Sequence, residues 1–400
     1  MTDRMRKVLE SIIRERRTPS YLFDIDALQA ETDRFRRCLG GEIGLNYSMK
    51  ANSFITRAMA SFVDRIEVCS MGEFRICRDL GLAPEKLFIS GVLKKEADLE
   101  EILAYAGNGA LYTAESPDQF RQLAAWAAAH ETELSVYPRL TSGNQFGMDA
   151  DTVRALVMEA RDLPYLTVEG IHFFSGTMKK TLRRHQKELD MLDSFLLSLQ
   201  EAGCGVTHLE YGTGFAVPYF DPVKEVTTRD ENLTAFAEMT RAMTWKGRVN
   251  IEMGRALSAC CGYYMTTVLD QKVSDGTGWI ITDGGIHQIG YDGQIKGMYK
   301  PFITLLRGSE ENRKEWPVSQ WTVCGSLCTV NDILCRDLEL DQPQKGDVLV
   351  FERAGAYCVT EGMALFLSHE LPEILLYSDR DGLFCAREMM ETCDLNRGRL

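Results

Sequence analysis

A chain of 400 residues with 45% hydrophobic content can bury large cores and is expected to hold two domains. Its formal net charge of −13 disfavours non-specific binding to nucleic acid or to an anionic membrane surface, and points to a soluble, cytoplasmic protein. The 12 cysteines are scattered, without a Cys-x-x-Cys pair or zinc-ligand spacing, so they read as thiols of a reducing compartment and no metal is expected.

Residues 1–17 are charged throughout and lack the apolar region of a secretory signal, and no apolar run approaches a membrane span. From Tyr21 to about Met265, short apolar runs at 43–47, 65–69, 87–89, 110–113, 134–138, 168–174, 208–211 and 249–252 read as strands. Between them lie amphipathic helical patterns, at 55–63, 71–79, 95–106, 118–130, 151–160 and 182–200. About eight strand–helix units predict an α/β fold in which residues 24–265 close into a (β/α)8, TIM-like barrel. Functional residues should then sit at the C-terminal ends of parallel strands. After Met265 the texture changes: strands are expected near Val268 and at 279–282, 321–324, 347–351 and 357–360, with helical periodicity returning only after Ala386. Residues 266–400, joined by 1–23, are expected to form a β-rich barrel or sandwich domain.

In Tyr47-Ser48-Met49-Lys50-Ala51-Asn52 a lysine closes a strand. A lysine held there and partly desolvated has a lowered pKa and can capture an aldehyde, although a lysine among apolar residues more often only carries its charge to water. Tyr211-Gly212-Thr213-Gly214-Phe215 follows another strand; it is either a tight turn or a loop that brings bare amides to an anion. Glu252-Met253-Gly254-Arg255 ends a further strand and pairs a carboxylate with a forked cation suited to phosphate; the plain alternative is a surface ion pair. Cys324-Gly325-Ser326-Leu327-Cys328-Thr329 and Ala354-Gly355-Ala356-Tyr357 each join small residues to one reactive or hydrogen-bonding group, either of which alone reads as core.

In order and spacing, from Pro19 to about Glu391, these motifs resemble the alanine-racemase-fold (fold type III) pyridoxal-phosphate decarboxylases, which act on diaminopimelate, ornithine and arginine. The resemblance implies pyridoxal 5'-phosphate as cofactor and a homodimer with shared active sites. It assigns Lys50 to the lysine that binds the cofactor aldehyde, and places Glu67, Ser70, Glu73 and Arg139 near the cofactor. It assigns Gly212, Thr213 and Gly214 to the phosphate loop, Glu252 to the acid facing the pyridinium nitrogen, and Gly254 and Arg255 to further phosphate contacts. Cys328 resembles the cysteine that reaches in from the partner subunit to protonate the product, and Tyr357 the tyrosine on the phosphate. In Gly170-Ile171-His172-Phe173-Phe174-Ser175-Gly176-Thr177 the ring-stacking histidine of many members is replaced by Phe174, with His172 and Thr177 in the same motif. Gly-Thr-Gly replaces Gly-Gly-Gly, which requires Thr213 to point outward.

The substrate motif departs further. Cys328-Thr329-Val330 carries no acid where the diamino-acid enzymes place one, and a distal ammonium left unpaired in a site costs several kcal/mol. Thr329, Asp332 and His287 are the expected substrate contacts. Thr329 and Phe174 resemble biosynthetic branches of the family, one acting on glutamate tethered to an acyl carrier protein (the butirosin pathway), another on citryl-amino acids (siderophore pathways). The expected function is α-decarboxylation of an L-amino acid that is modified or carrier-bound. A free diamino-acid decarboxylase, a racemase and an inactive regulatory homologue are the alternatives. The basic run 179–187 reads either as a solvated helix face or as a dock for an acidic carrier.

Overall fold

The computed structural model describes residues 1–92, 94–222, 226–309 and 313–398. It divides into two compact units: Gln29–Val217 with Glu225–Leu257, and Met1–Leu28 with Pro218–Lys224 and Ser258–Leu400.

The first unit is the barrel. Its strands are β1 (Gly44–Ser48), β2 (Arg65–Val68), β3 (Leu87–Ile89), β4 (Leu111–Ala114), β5 (Leu134–Leu140), β6 (Gly170–Phe174), β7 (His208–Gly212) and β8 (Arg248–Met253). Every neighbouring pair is parallel, and the β1–β8 and β4–β5 pairings close the ring. All five residues of β1 are buried, as expected for a strand covered by helices outside and by packed side chains within. Asn46 on β1 reaches Glu210 on β7, and His172 on β6 reaches Glu252 on β8. Each contact spans an intervening strand, so these polar groups share the inner face.

One expected strand splits. Leu166–Val168 pairs only with the start of β5, and the chain then steps at Glu169 into β6, which continues along the end of β5. Gly170 permits the step, because a Cβ there would lie 2.2 Å from the Tyr137 ring. The helices Ile25–Leu39 and Asp230–Ala242 escaped the periodicity reading.

The second unit is a sheet around the 13-residue strand Gly262–Ser274. That strand pairs antiparallel with Ser20–Asp24, Thr277–Thr282 and Val348–Glu352. Ser20–Asp24 lies parallel to Glu373–Ser378, which pairs antiparallel with Gly382–Arg387. The charged N-terminus is an amphipathic helix, Asp3–Glu15. Its Met5, Leu9 and Ile12, spaced for one face, pack with Leu22, Met265, Val350 and Leu375. Two expectations fail in this unit. Residues 357–360 form a turn, because Tyr357 has φ +64°, outside the strand region. Beyond Ala386, itself within a strand, the only helix among the described residues is the single turn Cys393–Asn396. Among the described residues no helix is long and apolar enough to cross a membrane.

Candidate active site

Lys50 sits in the 3-10 turn Met49–Ala51 that follows β1. Its Nζ donates to Glu67 Oε1 (3.1 Å) and Oε2 (3.0 Å) and approaches Cys69 Sγ at 3.4 Å. The lysine side chain keeps 41% of its surface exposed while Glu67 keeps 4%, so the amine is presented at the mouth and its counter-ion lies beneath. Burial by itself would raise the Glu67 carboxyl. The Lys50 charge, the Ser48 and Ser90 hydroxyls and nearby His172 overcome that and hold it well below the usual carboxylate range. Cys69 Sγ also lies 3.2 Å from both Glu67 Oε1 and Ser90 Oγ. Burial, then the Glu67 charge, pushes its thiol far up, so Cys69 stays a neutral SH in this cluster.

A carboxylate whose folded pKa is depressed contributes stability above its unfolded pKa and loses it as the pH falls toward the folded value. We therefore expect Glu67→Gln to lower the unfolding free energy at neutral pH. The gap to the parent should close progressively below about pH 4, as followed by chemical denaturation across an acid series.

Ser70 is exposed and caps the helix Met71–Asp79, its Oγ accepting from the Glu73 amide at 3.2 Å. Glu73 reaches back to the Cys69 amide at 2.6 Å. This reciprocal pair resembles a capping box and orients the start of the helix. On β5, Arg139 pairs with Glu115 at 2.8 Å, both nearly buried, and its guanidinium lies over the Phe146 ring. Glu115 and Ser90 were not foreseen, yet each stands one residue past a strand end (β4 and β3), where the strand-end rule would have found them.

His172 Nε2 lies 3.2 Å from Glu252 Oε2, with both side chains buried. Glu252 Oε1 and His172 Nδ1 are buried and have no hydrogen-bond partner among the described residues. Deeper in the barrel, Glu210 accepts from Asn46 at 2.7 Å; burial, then the Glu252 charge, keeps it protonated. Gly212 makes room for Phe174, since a Cβ there would lie 2.4 Å from that ring. Gly214 has φ +60°, and a Cβ would meet the Gly176 carbonyl at 2.0 Å. Thr213 does not point outward as required above: it is fully buried, and its Oγ1 has no partner among the described residues. Its carbonyl faces His185 Nε2 at 3.0 Å. Thr177 is exposed, Gly254 half-buried and Arg255 buried at the end of β8.

The basic run divides. Lys179 is buried against Glu188 at 2.6 Å, His185 is fully buried, and Arg184 joins Glu188 at 3.2 Å. Lys180, Arg183 and Lys187 remain exposed.

In the sheet unit, Cys328 is exposed and Thr329 half-buried. Asp332, expected against substrate, is buried, with Oδ1 accepting from the Ile286 amide (2.9 Å) and Oδ2 from the Leu327 amide (2.7 Å). It shapes the turn that carries Cys328. His287 is 1% exposed, and neither ring nitrogen has a hydrogen-bond partner among the described residues. Burial, then neighbouring His369, pulls it down to about 4, so it is neutral.

Relatives share this architecture. The chain is 27% identical over 384 residues to the L-glutamyl-[BtrI acyl-carrier protein] decarboxylase of Niallia circulans, covering 90% of this chain and 88% of the relative. It is 24% identical over 409 residues to the diaminopimelate decarboxylase of Methanocaldococcus jannaschii, covering 94% and 90%. The crystal structure of diaminopimelate decarboxylase from Helicobacter pylori, complexed with L-lysine, superposes with a TM-score of 0.82 at 21% identity, over 97% of this chain and 98% of that one. The residues fit pyridoxal phosphate: an amine at the mouth, a buried carboxylate oxygen with no donor among the described residues and a glycine turn in which Cβ atoms do not fit. The family model for the pyridoxal-dependent decarboxylases with a C-terminal sheet domain matches residues 21–355, and with the closed barrel and separate sheet this shows that the chain belongs to that family of pyridoxal-phosphate enzymes.

Proposed function

We propose that this enzyme removes the α-carboxylate of an L-amino acid whose distal end is acylated or carried on an acyl carrier protein. Asp332 carries the reading. The one acid in the Cys328 turn is buried, with both oxygens turned to backbone amides, so it is not presented to a distal ammonium. The match to a relative acting on a carrier-bound glutamyl group supports the same choice. The free diamino-acid reading draws on the comparable match to a diaminopimelate decarboxylase.

In this reading Lys50 would hold the cofactor through its amine, and Glu67, paired with that amine here, would anchor and orient it. Phe174, packed over Gly212, would supply an aromatic face to the ring. Gly212, Gly214, Gly254 and Arg255 would hold the phosphate on the barrel side, with Tyr357 as a further contact; Thr213, whose side chain is buried, could contribute only its backbone amide. When bound, the cofactor supplies the electron sink that makes loss of CO2 possible. Glu252, through the Oε1 that has no partner among the described residues, would face the ring nitrogen and favour a proton there, and His172 steadies the other oxygen. Cys328, contributed by the partner subunit of a homodimer, delivers a proton to the α-carbon, and its exposure suits that task. Thr329, half-buried on the Cys328 turn, would face the distal part of the substrate, whereas His287, expected there too, is buried and not presented to it.

Turnover of a glutamyl-carrier thioester, beside the same thioester on a small pantetheine analogue, tests the reading. Failure on both, with brisk turnover of free diaminopimelate, contradicts it. The exposed cations Lys180, Arg183 and Lys187 suit an acidic carrier, whereas Arg184 belongs to the scaffold through Glu188. We expect Arg183→Glu with Lys187→Glu to cut kcat/KM on the carrier-borne substrate about tenfold and leave the small analogue unchanged, an effect that shrinks at high salt.

A further inference from the structure

The sequence lacks zinc-ligand spacing, but strand pairing in the sheet unit builds a ligand cluster. The register shift between Ile374 and Leu375 sets Arg387 opposite Ile374 and Cys385 opposite Leu375. As a result one ligand atom from each of Glu373, Cys385 and Glu388 falls within 4.8 Å of the other two. Glu373 is 5% exposed; its Oε1 takes Arg16 Nη1 at 3.1 Å and lies 3.7 Å from Cys385 Sγ. Its Oε2 is buried and accepts no hydrogen bond from any described donor. A carboxylate oxygen withdrawn from water without a donor is costly to leave bare.

We propose that Glu373, Cys385 and Glu388 form a structural site for a zinc-like divalent cation. The donor set selects the metal class: a thiolate disfavours magnesium and calcium, and one sulfur with two oxygens suits zinc, whose fourth position takes water. With bonds of about 2.0–2.3 Å, tetrahedral ligands stand roughly 3.5 Å apart. Glu373 and Cys385 are already at that spacing, and the exposed Glu388 already contacts both of them through its carboxyl. Charge also closes: two carboxylates and a thiolate against Arg16 leave a deficit of two, which a divalent cation fills. Binding displaces the thiol proton to solvent, so affinity rises with pH. The metal would pin Gly382–Arg387, the last strand of its sheet path, to Glu373–Ser378, the strand it pairs with among the described residues.

The test is a zinc titration of the full, cofactor-loaded chain against a chromophoric chelator, with Zn K-edge absorption reporting the ligands. We expect one site per chain with a single sulfur ligand. Affinity should fall at least tenfold in Cys385→Ser, Glu373→Gln and Glu388→Gln, and stay unchanged in Cys328→Ser, which controls for the exposed thiol elsewhere in the unit. Zinc should also raise the melting temperature of the parent but not of Cys385→Ser. Absence of binding, affinity that survives Cys385→Ser, or loss in Cys328→Ser overturns the proposal.

Discussion

Lys50→Ala should abolish turnover, with kcat falling by at least about 10^3, or ~4 kcal/mol of barrier. Lys50 provides the amine at the mouth, set by the turn after β1 and by its bidentate pairing with Glu67. Two effects have to be separated. Removing the ammonium also strands the buried Glu67 carboxylate, which keeps hydroxyl and thiol donors but loses its paired charge, and that alone costs about 1–3 kcal/mol of stability. Lys50→Arg separates them: the guanidinium restores a charge opposite Glu67 but cannot capture an aldehyde. Both variants should be inactive, with only the alanine variant notably destabilised. Borohydride reduction of the loaded parent should label Lys50, as read by peptide mass spectrometry, and should label neither variant. Covalent labelling of another lysine in the parent would remove Lys50 from its assigned role.

Glu252→Gln should lower kcat about 10^2-fold or more while the barrel stays folded. Glutamine preserves the shape and offers His172 an amide, but it removes the anion that stabilises a proton on the ring nitrogen. Glutamate is supported here by its surroundings. Burial and the neighbouring Glu252 charge push Glu210 well up, Glu67 is paired with Lys50, and one Glu252 oxygen has no partner among the described residues, so that oxygen is the acceptor left for a ring nitrogen. The readout that a structural role would not move is the bound cofactor's absorbance across pH, which should change in Glu252→Gln and remain near the parent in Glu252→Asp. A glutamine variant with parent-like kcat and spectrum would mean that this carboxylate does not face the cofactor.

Much of the barrel was legible because a parallel strand covered on both faces writes itself as a short apolar run, and because catalytic residues collect at strand ends. Lys50, Glu252 and the Gly212–Gly214 turn, which we propose for the site, all lie at such ends. Contacts between distant segments were not legible. Residue type alone could not tell that Asp332 would bind two amides, that Lys179 and His185 would turn inward while their neighbours stayed exposed, or that Thr213 would be buried. The metal cluster likewise depends on a one-residue register shift between two strands, which no spacing in the chain announces. The helix Asp3–Glu15 was hidden by its charges, although its apolar residues recur at helical spacing.

The most direct test of the central claim is CO2 release from two substrates competing in one vessel with the cofactor-loaded enzyme. Glutamyl thioester on an acyl carrier protein would be paired with free diaminopimelate, each labelled at its own carboxylate. The account predicts release almost entirely from the carrier-bound amino acid, because the Cys328 turn offers no free acid to a distal ammonium. Release mainly from diaminopimelate would contradict it and place the distal amine against groups other than Asp332.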